Sequence, residues 1–105
     1  MVMGMPAHAH EGSLDAATIA VVPPAQGAYR LWLAGRVLLV GMAAGTRTLR
    51  SELRRHLRGD FGPRTQAASH FDCLVAQTAA QAHELYVSLY GSSGLRDATP
   101  RVRTP

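Results

Sequence analysis

The chain has 105 residues, 47% of them hydrophobic, with a single cysteine and a net charge of +4. That length sets one domain as the expectation, and the apolar content excludes wholesale disorder. Cys73 has no partner for an internal disulfide, which fits a reducing, cytoplasmic setting.

All eleven basic residues are arginine, and they are unevenly placed. Between Thr46 and Arg64, six arginines (47, 50, 54, 55, 58 and 64) face only Glu52 and Asp60, a local +4 equal to the net charge of the whole chain. A concentrated arginine patch suits a polyanion such as a nucleic-acid backbone; a solvated helix face is the plainer alternative. The N-terminus lacks a charged segment followed by an apolar run, so no secretory signal is read. The most apolar stretch, from Leu31 to Ala44, is interrupted by Arg36 and two glycines, too short and broken to span a membrane.

In chain order, residues 1–12 lack periodicity and read as a leader. His8 and His10 have the types of metal ligands, but two histidines near a terminus are ordinarily inert. Ser13 is placed to cap a short helix through Ala20, which Pro23 and Pro24 prevent from continuing. Tyr29, Leu31 and Leu33 alternate with Arg30 and Trp32, Ala34-Gly35 makes a turn, and residues 36–40 return as an apolar strand: a hairpin. After a small-residue loop, Leu49, Leu53 and Leu57 recur at helical spacing, and Gly59 closes a helix over about 48–58. Residues 64–69 form a linker or short helical turn, and 71–76 a third strand. Thr78-x-x-Gln81 is a capping box that opens a last helix, closed at Gly91. The expected fold is α+β: a small three-stranded antiparallel sheet flanked by helices. The expected divisions are a leader over 1–20, a domain over 21–91 and an Arg/Pro tail over 92–105.

Three motifs stand together in this order. Gly27-Ala28-Tyr29 opens the hairpin, Leu39-Val40-Gly41 closes it, and Leu53-Arg54-Arg55-His56-Leu57 lies on the arginine-rich helix that follows. Together they resemble the GIY-YIG nuclease superfamily, whose members include a domain of the bacterial excision-repair incision subunit, homing endonucleases and restriction enzymes. The resemblance covers about Val21 to Gly91. It implies metal-dependent hydrolysis of a phosphodiester in DNA, with Mg2+ or Mn2+ as cofactor, nucleic acid as partner, and specificity supplied by a second protein. By position, Gly27 and Gly41 take the motif glycines and Tyr29 the reactive tyrosine. Arg55 and His56 are the remaining catalytic candidates, and Glu84 on the last helix is the metal carboxylate. Arg47, Arg50, Arg54, Arg58 and Arg64 would meet the nucleic-acid backbone. Two positions depart from the family pattern: Leu39 stands where the second motif has tyrosine, and Glu52 where the helix arginine belongs. These departures leave open a non-catalytic nucleic-acid-binding module on the same fold. Cys73 with His70 or His83 could suggest a thiol site, but Cys73 sits in an apolar strand pattern, where buried cysteines are ordinarily inert; His70, Asp72 and His83 could suggest a zinc site, but no recognisable ligand spacing appears.

Overall fold

A computed structural model describes residues 9–94. The His8 member of the histidine pair and the three tail arginines therefore lie outside the described residues. Four strands and four helices run in the order β1 (Ala9–Ser13), α1 (Ala16–Ile19), β2 (Gly27–Leu33), β3 (Arg36–Ala43), α2 (Leu49–Arg58), α3 (Pro63–Gln66), β4 (His70–Val75) and α4 (Ala79–Ser93). The class is the expected α+β, but the sheet has four strands, ordered β1-β4-β2-β3, with every neighbouring pair antiparallel.

The additional strand comes from the expected leader. Ala9–Ser13 alternates only between exposed and half-buried positions, so it carries no apolar period. It forms because the outer edge of β4 offers unpaired backbone groups, and pairing in register from Ala9↔Leu74 to Ser13↔His70 satisfies them. Ser13 therefore ends a strand. The cap of α1 is Asp15, whose carboxylate accepts from the Thr18 N–H at 2.8 Å. Leu14 and Ile19, from the described part of the leader, join the core together with Val22.

β2 lies between β3 and β4 and divides the molecule into two layers. Tyr29, Leu31, Phe71 and Cys73 form the buried face under α1 and α2, joined by Leu49 and Leu53. Arg30, Trp32 and Asp72 alternate to the opposite face. There Asp72 pairs with Arg30 and accepts from the Trp32 indole N–H at 3.0 Å, and the Arg30 guanidinium lies 5.0 Å from the Trp32 ring centre. α4 packs on β2 and β3 from this second face; its end, Ser92–Gly94, borders the same hollow as Arg30 and Trp32.

The helix boundaries follow local chemistry. Thr48 and Ser51 exchange the two hydrogen bonds of a capping box at α2, which ends at Gly59 in the left-handed region (φ 87°). Thr78 caps α4, with its hydroxyl accepting from Gln81 N–H at 3.0 Å. The Gln81 side chain reaches back to Gln77 N–H rather than to Thr78. The helix passes through Gly91 and stops at Gly94 (φ 81°). Glycine permits a stop without forcing one, and Gly94 is the one that turns left-handed. Among the described residues no helix is long and apolar enough to cross a membrane.

The β2–β3 turn has the expected position and a strained residue. Ala34 (φ 54°) and Gly35 (φ 78°) both hold positive φ, as a two-residue turn of the I′ type demands. Alanine pays a steric cost there of about 1 kcal/mol, which asparagine largely avoids. Ala34→Asn is therefore expected to raise stability by about 0.5–1 kcal/mol and the melting temperature by a few degrees, read by thermal denaturation. An unchanged or lower midpoint would mean that the turn is not under this strain.

Candidate functional site

The motif residues meet where β2, β3, α2 and α3 come together. Tyr29 points from β2 towards α2, and its hydroxyl lies 2.9 Å from Nε2 of His56. Nδ1 of His56 lies 2.9 Å from the hydroxyl of Thr65 on α3. All three side chains are buried. Gly41 stands opposite Tyr29 across the ladder, and a Cβ there would overlap the Tyr29 ring and hydroxyl. Glycine at this position is thus what lets the tyrosine lie flat against β3. At Gly27, a Cβ would strike the carbonyl of Leu74. Both motif glycines serve close backbone approach.

Beside these groups opens a cleft of about 340 Å3, lined by Tyr29, Leu39, Gly41, Glu52, His56 and Thr65, with Phe61 and Arg64 at its edge. Leu39 stands on the same face as Tyr29 and supplies apolar wall. The His56 ring packs 4.3 Å from Phe61, centre to centre.

Electrostatics fix the protonation of this cluster. Burial, reinforced by Glu52, pushes the Tyr29 phenol well above its usual range, against the opposing pull of Arg47 and Arg55. Burial, with Arg55 adding and Glu52 opposing, pushes His56 down to about 4. At neutral pH the pair is a phenol and an uncharged imidazole. Tyr29 in this state keeps a proton that it can donate in a hydrogen bond.

Glu52, which stands where the resemblance calls for arginine, is nearly sealed: its side chain is 6% exposed. Its carboxylate accepts from Arg47 at 3.1 Å and from Arg55 at 3.4 Å. Arg55 lies a further 3.7 Å from Asp60 and stacks over Phe61 at 4.5 Å. A buried carboxylate must be neutralised by cations, and here the neighbouring arginines do so. Arg58 pairs with Asp60 at 2.8 Å. Arg50 donates to the Val22 carbonyl and Arg64 to that of Leu38, both at 2.8 Å, so each keeps its charge. Arg54 is exposed and has no hydrogen-bond or ion-pair partner among the described residues.

Glu84 lies elsewhere. It is exposed on α4, and α4 covers the sheet face opposite to Tyr29. Among the described residues no three His, Cys, Asp or Glu side chains converge to hold a metal ion. A hard cation needs converging oxygen donors. The one acidic side chain beside Tyr29, Glu52, is engaged by two arginines, so the described donors do not fit a Mg2+ or Mn2+ site at Tyr29. The thiol of Cys73 is buried and pushed up to about 12 by burial, with Asp72 adding, which marks it as core rather than nucleophile.

The structure brings together Tyr29, His56 and Gly41, which the sequence singles out, and adds Thr65 and the sealing of Glu52, which it does not. Thr65 sits in a segment without periodicity, and its role arises only when α3 folds back on α2. The apolar spacing of α2 puts Glu52 one residue before the core leucine Leu53, a signal that its carboxyl lies near the sheet. No protein-family model and no curated protein matches the chain.

His56 makes stability depend on pH with a definite sign. Its folded pKa, about 4, lies below the ordinary 6.5, so the unfolded chain binds more protons between these values. The stabilisation is fully present above pH 6.5 and is lost as pH falls towards 4, by at most about 3 kcal/mol. Urea unfolding across this range should show that slope in the wild type and not in His56→Gln, once the variant's lower baseline is subtracted. Gly41→Ala is expected to cost about 1–3 kcal/mol by forcing Tyr29 aside, and to shift the His56 ring resonances in NMR spectra. Unmoved resonances would refute the contact.

Proposed function

We propose that this chain is a GIY-YIG-like domain that binds nucleic acid, DNA in the first instance, and in which phosphodiester cutting is reduced or lost. The observation that carries the reading is the surface of α2 and its flanks. Arg54 is exposed without a partner, Arg50 and Arg64 donate only to neutral carbonyls, and Arg47 and Arg58 are more than half exposed. Phosphates compete well for guanidinium groups held this way, since Arg presents a planar fork of donors that matches an oxyanion.

Three features argue against turnover. Tyr29 is a protonated phenol bound to His56, Glu52 brings negative charge to the cleft, and Glu84 stands on the other side of the sheet. Loss of one preorganised charge-stabilising donor typically costs ~10²–10³ in rate. With both the helix arginine and the second-motif tyrosine replaced, binding is better supported than cutting. A patch of this size engages few phosphates, so sequence or structure preference would come from a partner protein.

Fluorescence anisotropy with labelled duplex and single-stranded DNA tests the reading. Affinity is expected to fall steeply with salt, and Arg54→Ala to weaken binding on all sequences and flatten the salt slope by about one unit. Absence of binding at low salt would refute it. Plasmid nicking with Mg2+ or Mn2+ separates the two forms of the reading. No turnover is expected in the wild type, Tyr29→Phe or Glu84→Ala. Nicking by the wild type alone would restore both residues to a catalytic role.

A further inference from the structure

β3 closes the sheet on one side, and its outer side has no strand partner among the described residues. The Trp32 carbonyl accepts from the Ser69 N–H at the start of β4, at 2.8 Å. Ala28, Arg30 and Trp32 therefore direct their backbone groups to β4, and Tyr29 and Leu31 direct theirs to β3. Gly41 and Leu39, opposite Tyr29 and Leu31, face back, which leaves the N–H and C=O groups of Val40 and Met42 pointing outwards. Edge strands are ordinarily guarded by charge, proline or a bulge. On β3 such guards stand at one end only. Arg36 opens the strand, and Leu38, which the register skips as the extra residue of a bulge, has its carbonyl taken by Arg64 at 2.8 Å. From Leu39 to Ala43 there is no charged residue and no proline, and Met42 is 37% exposed.

α4 adds to the same side. It runs parallel to β2: it starts just after Ala76, whose N–H donates to the Gln26 carbonyl, and ends at Ser92–Gly94 beside Gly35 and Arg36 of the turn. Ala82, its one buried residue, faces the sheet. At about 100° per residue, His83, Tyr86, Val87 and Tyr90 then fall on one flank, and Gln81, Glu84, Ser88 and Ser92 on the other. The right-handed turn of the helix sets the polar flank towards β4, where Ser92 borders the hollow of Arg30 and Trp32. The other flank faces the outer edge of β3. Its rings form a row, with His83 6.4 Å from Tyr86 and Tyr86 6.1 Å from Tyr90, centre to centre, and Val87 is 53% exposed.

A chain of net charge +4 thus carries a strip without charged side chains along Leu39–Ala43 and this flank. Such a strip offers nothing to a polyanion, and two copies meet across it without repulsion. We propose that the outer edge of β3 and the aromatic flank of α4 pair two copies of this chain about a two-fold axis. With the axis at Gly41, Val40 of one copy stands opposite Met42 of the other, and their outward groups exchange hydrogen bonds as an antiparallel pair. The axis is perpendicular to the sheet, so both α4 helices stay on one face and set their aromatic flanks against each other. Arg36 and Arg64 go to opposite ends of the contact. A lone extended peptide would pair with the strand but bring no matching helix flank. The fifteen residues of α4 give a strip about 22 Å long, and strand plus helix give a height of about 15 Å. The projected area of about 300–350 Å2 per copy is well below the ~800 Å2 of a stable complex, so the dimer forms at high concentration and dissociates on dilution. Pairing is independent of nucleic-acid binding, since neither Met42 nor Val87 belongs to the arginine surface.

Sedimentation equilibrium of the full chain from micromolar to millimolar concentration tests this, with amide hydrogen exchange read by NMR over the same range. The mean mass is expected to rise from one chain towards two and stop there, while the Val40 and Met42 amides slow several-fold. Val87→Glu, at an exposed helix position, and Met42→Pro, which removes only an outward N–H, should each raise the dissociation constant at least tenfold. The melting temperature of dilute Val87→Glu should match that of the wild type. A monomer at every concentration, a mass that climbs past two chains, or a dimer undiminished in Val87→Glu would overturn the inference. So would a dimer that leaves the two amides unchanged, which would assign it to another surface. Amides already slow in the dilute monomer would overturn it by assigning the edge to another segment of this chain.

Discussion

The hydrogen bond between Tyr29 and His56 joins the two halves of the molecule. Tyr29 belongs to the central strand and His56 to α2, and the 2.9 Å contact between them is buried. Thr65 extends the same chain to α3. A buried hydroxyl and a buried imidazole each need a partner, since an unmet one costs more than the bond returns. Their pairing therefore fixes how far α2 stands from the sheet and where α3 folds back. It also explains Gly41, because only a residue without a side chain leaves room for the ring beside β3.

A second constraint comes from burying Glu52. A carboxylate within a helix–sheet junction must find cations, and it draws Arg47 from the preceding loop and Arg55 from the next turn. The arginine patch is thus two populations. Some guanidinium groups neutralise acids inside the fold, and others, led by Arg54, keep their charge at the surface. A count of arginines in the sequence merges the two, whereas only the second group attracts a polyanion at full strength. The same carboxylate holds the local potential of the cleft below what the arginines alone would give.

The sheet separates what the sequence lists together. Tyr29 and Glu84 look like members of one site when read along the chain, yet α4 lies across the sheet face that carries Arg30, Trp32 and Asp72. A strand's alternation decides this. One residue's step along β2 moves a side chain from the α2 layer to the α4 layer, so the layer that α4 joins sets which residues its side chains meet. That choice depends on long-range packing and leaves no local mark.

By itself the sequence determined the elements with strong local chemistry: the hairpin, with its alternation and Ala34-Gly35 turn, α2 with its leucine stripe and Gly59 stop, and the Thr78 cap of α4. Tyr29, Gly41 and His56 were grouped only by the resemblance of their motifs to a known family. The local features arise within a few residues of one another, where periodicity, capping and turn geometry act. The tertiary structure decided β1, whose Ala9–Ser13 segment has no apolar period and forms only because β4 has a free edge. It decided that Thr65 completes the His56 chain and that Glu52 is sealed by two arginines. It also decided that Glu84 stands apart from Tyr29. Each of these depends on a partner distant in sequence, and burial or an unpaired backbone edge, rather than residue type, supplies the force.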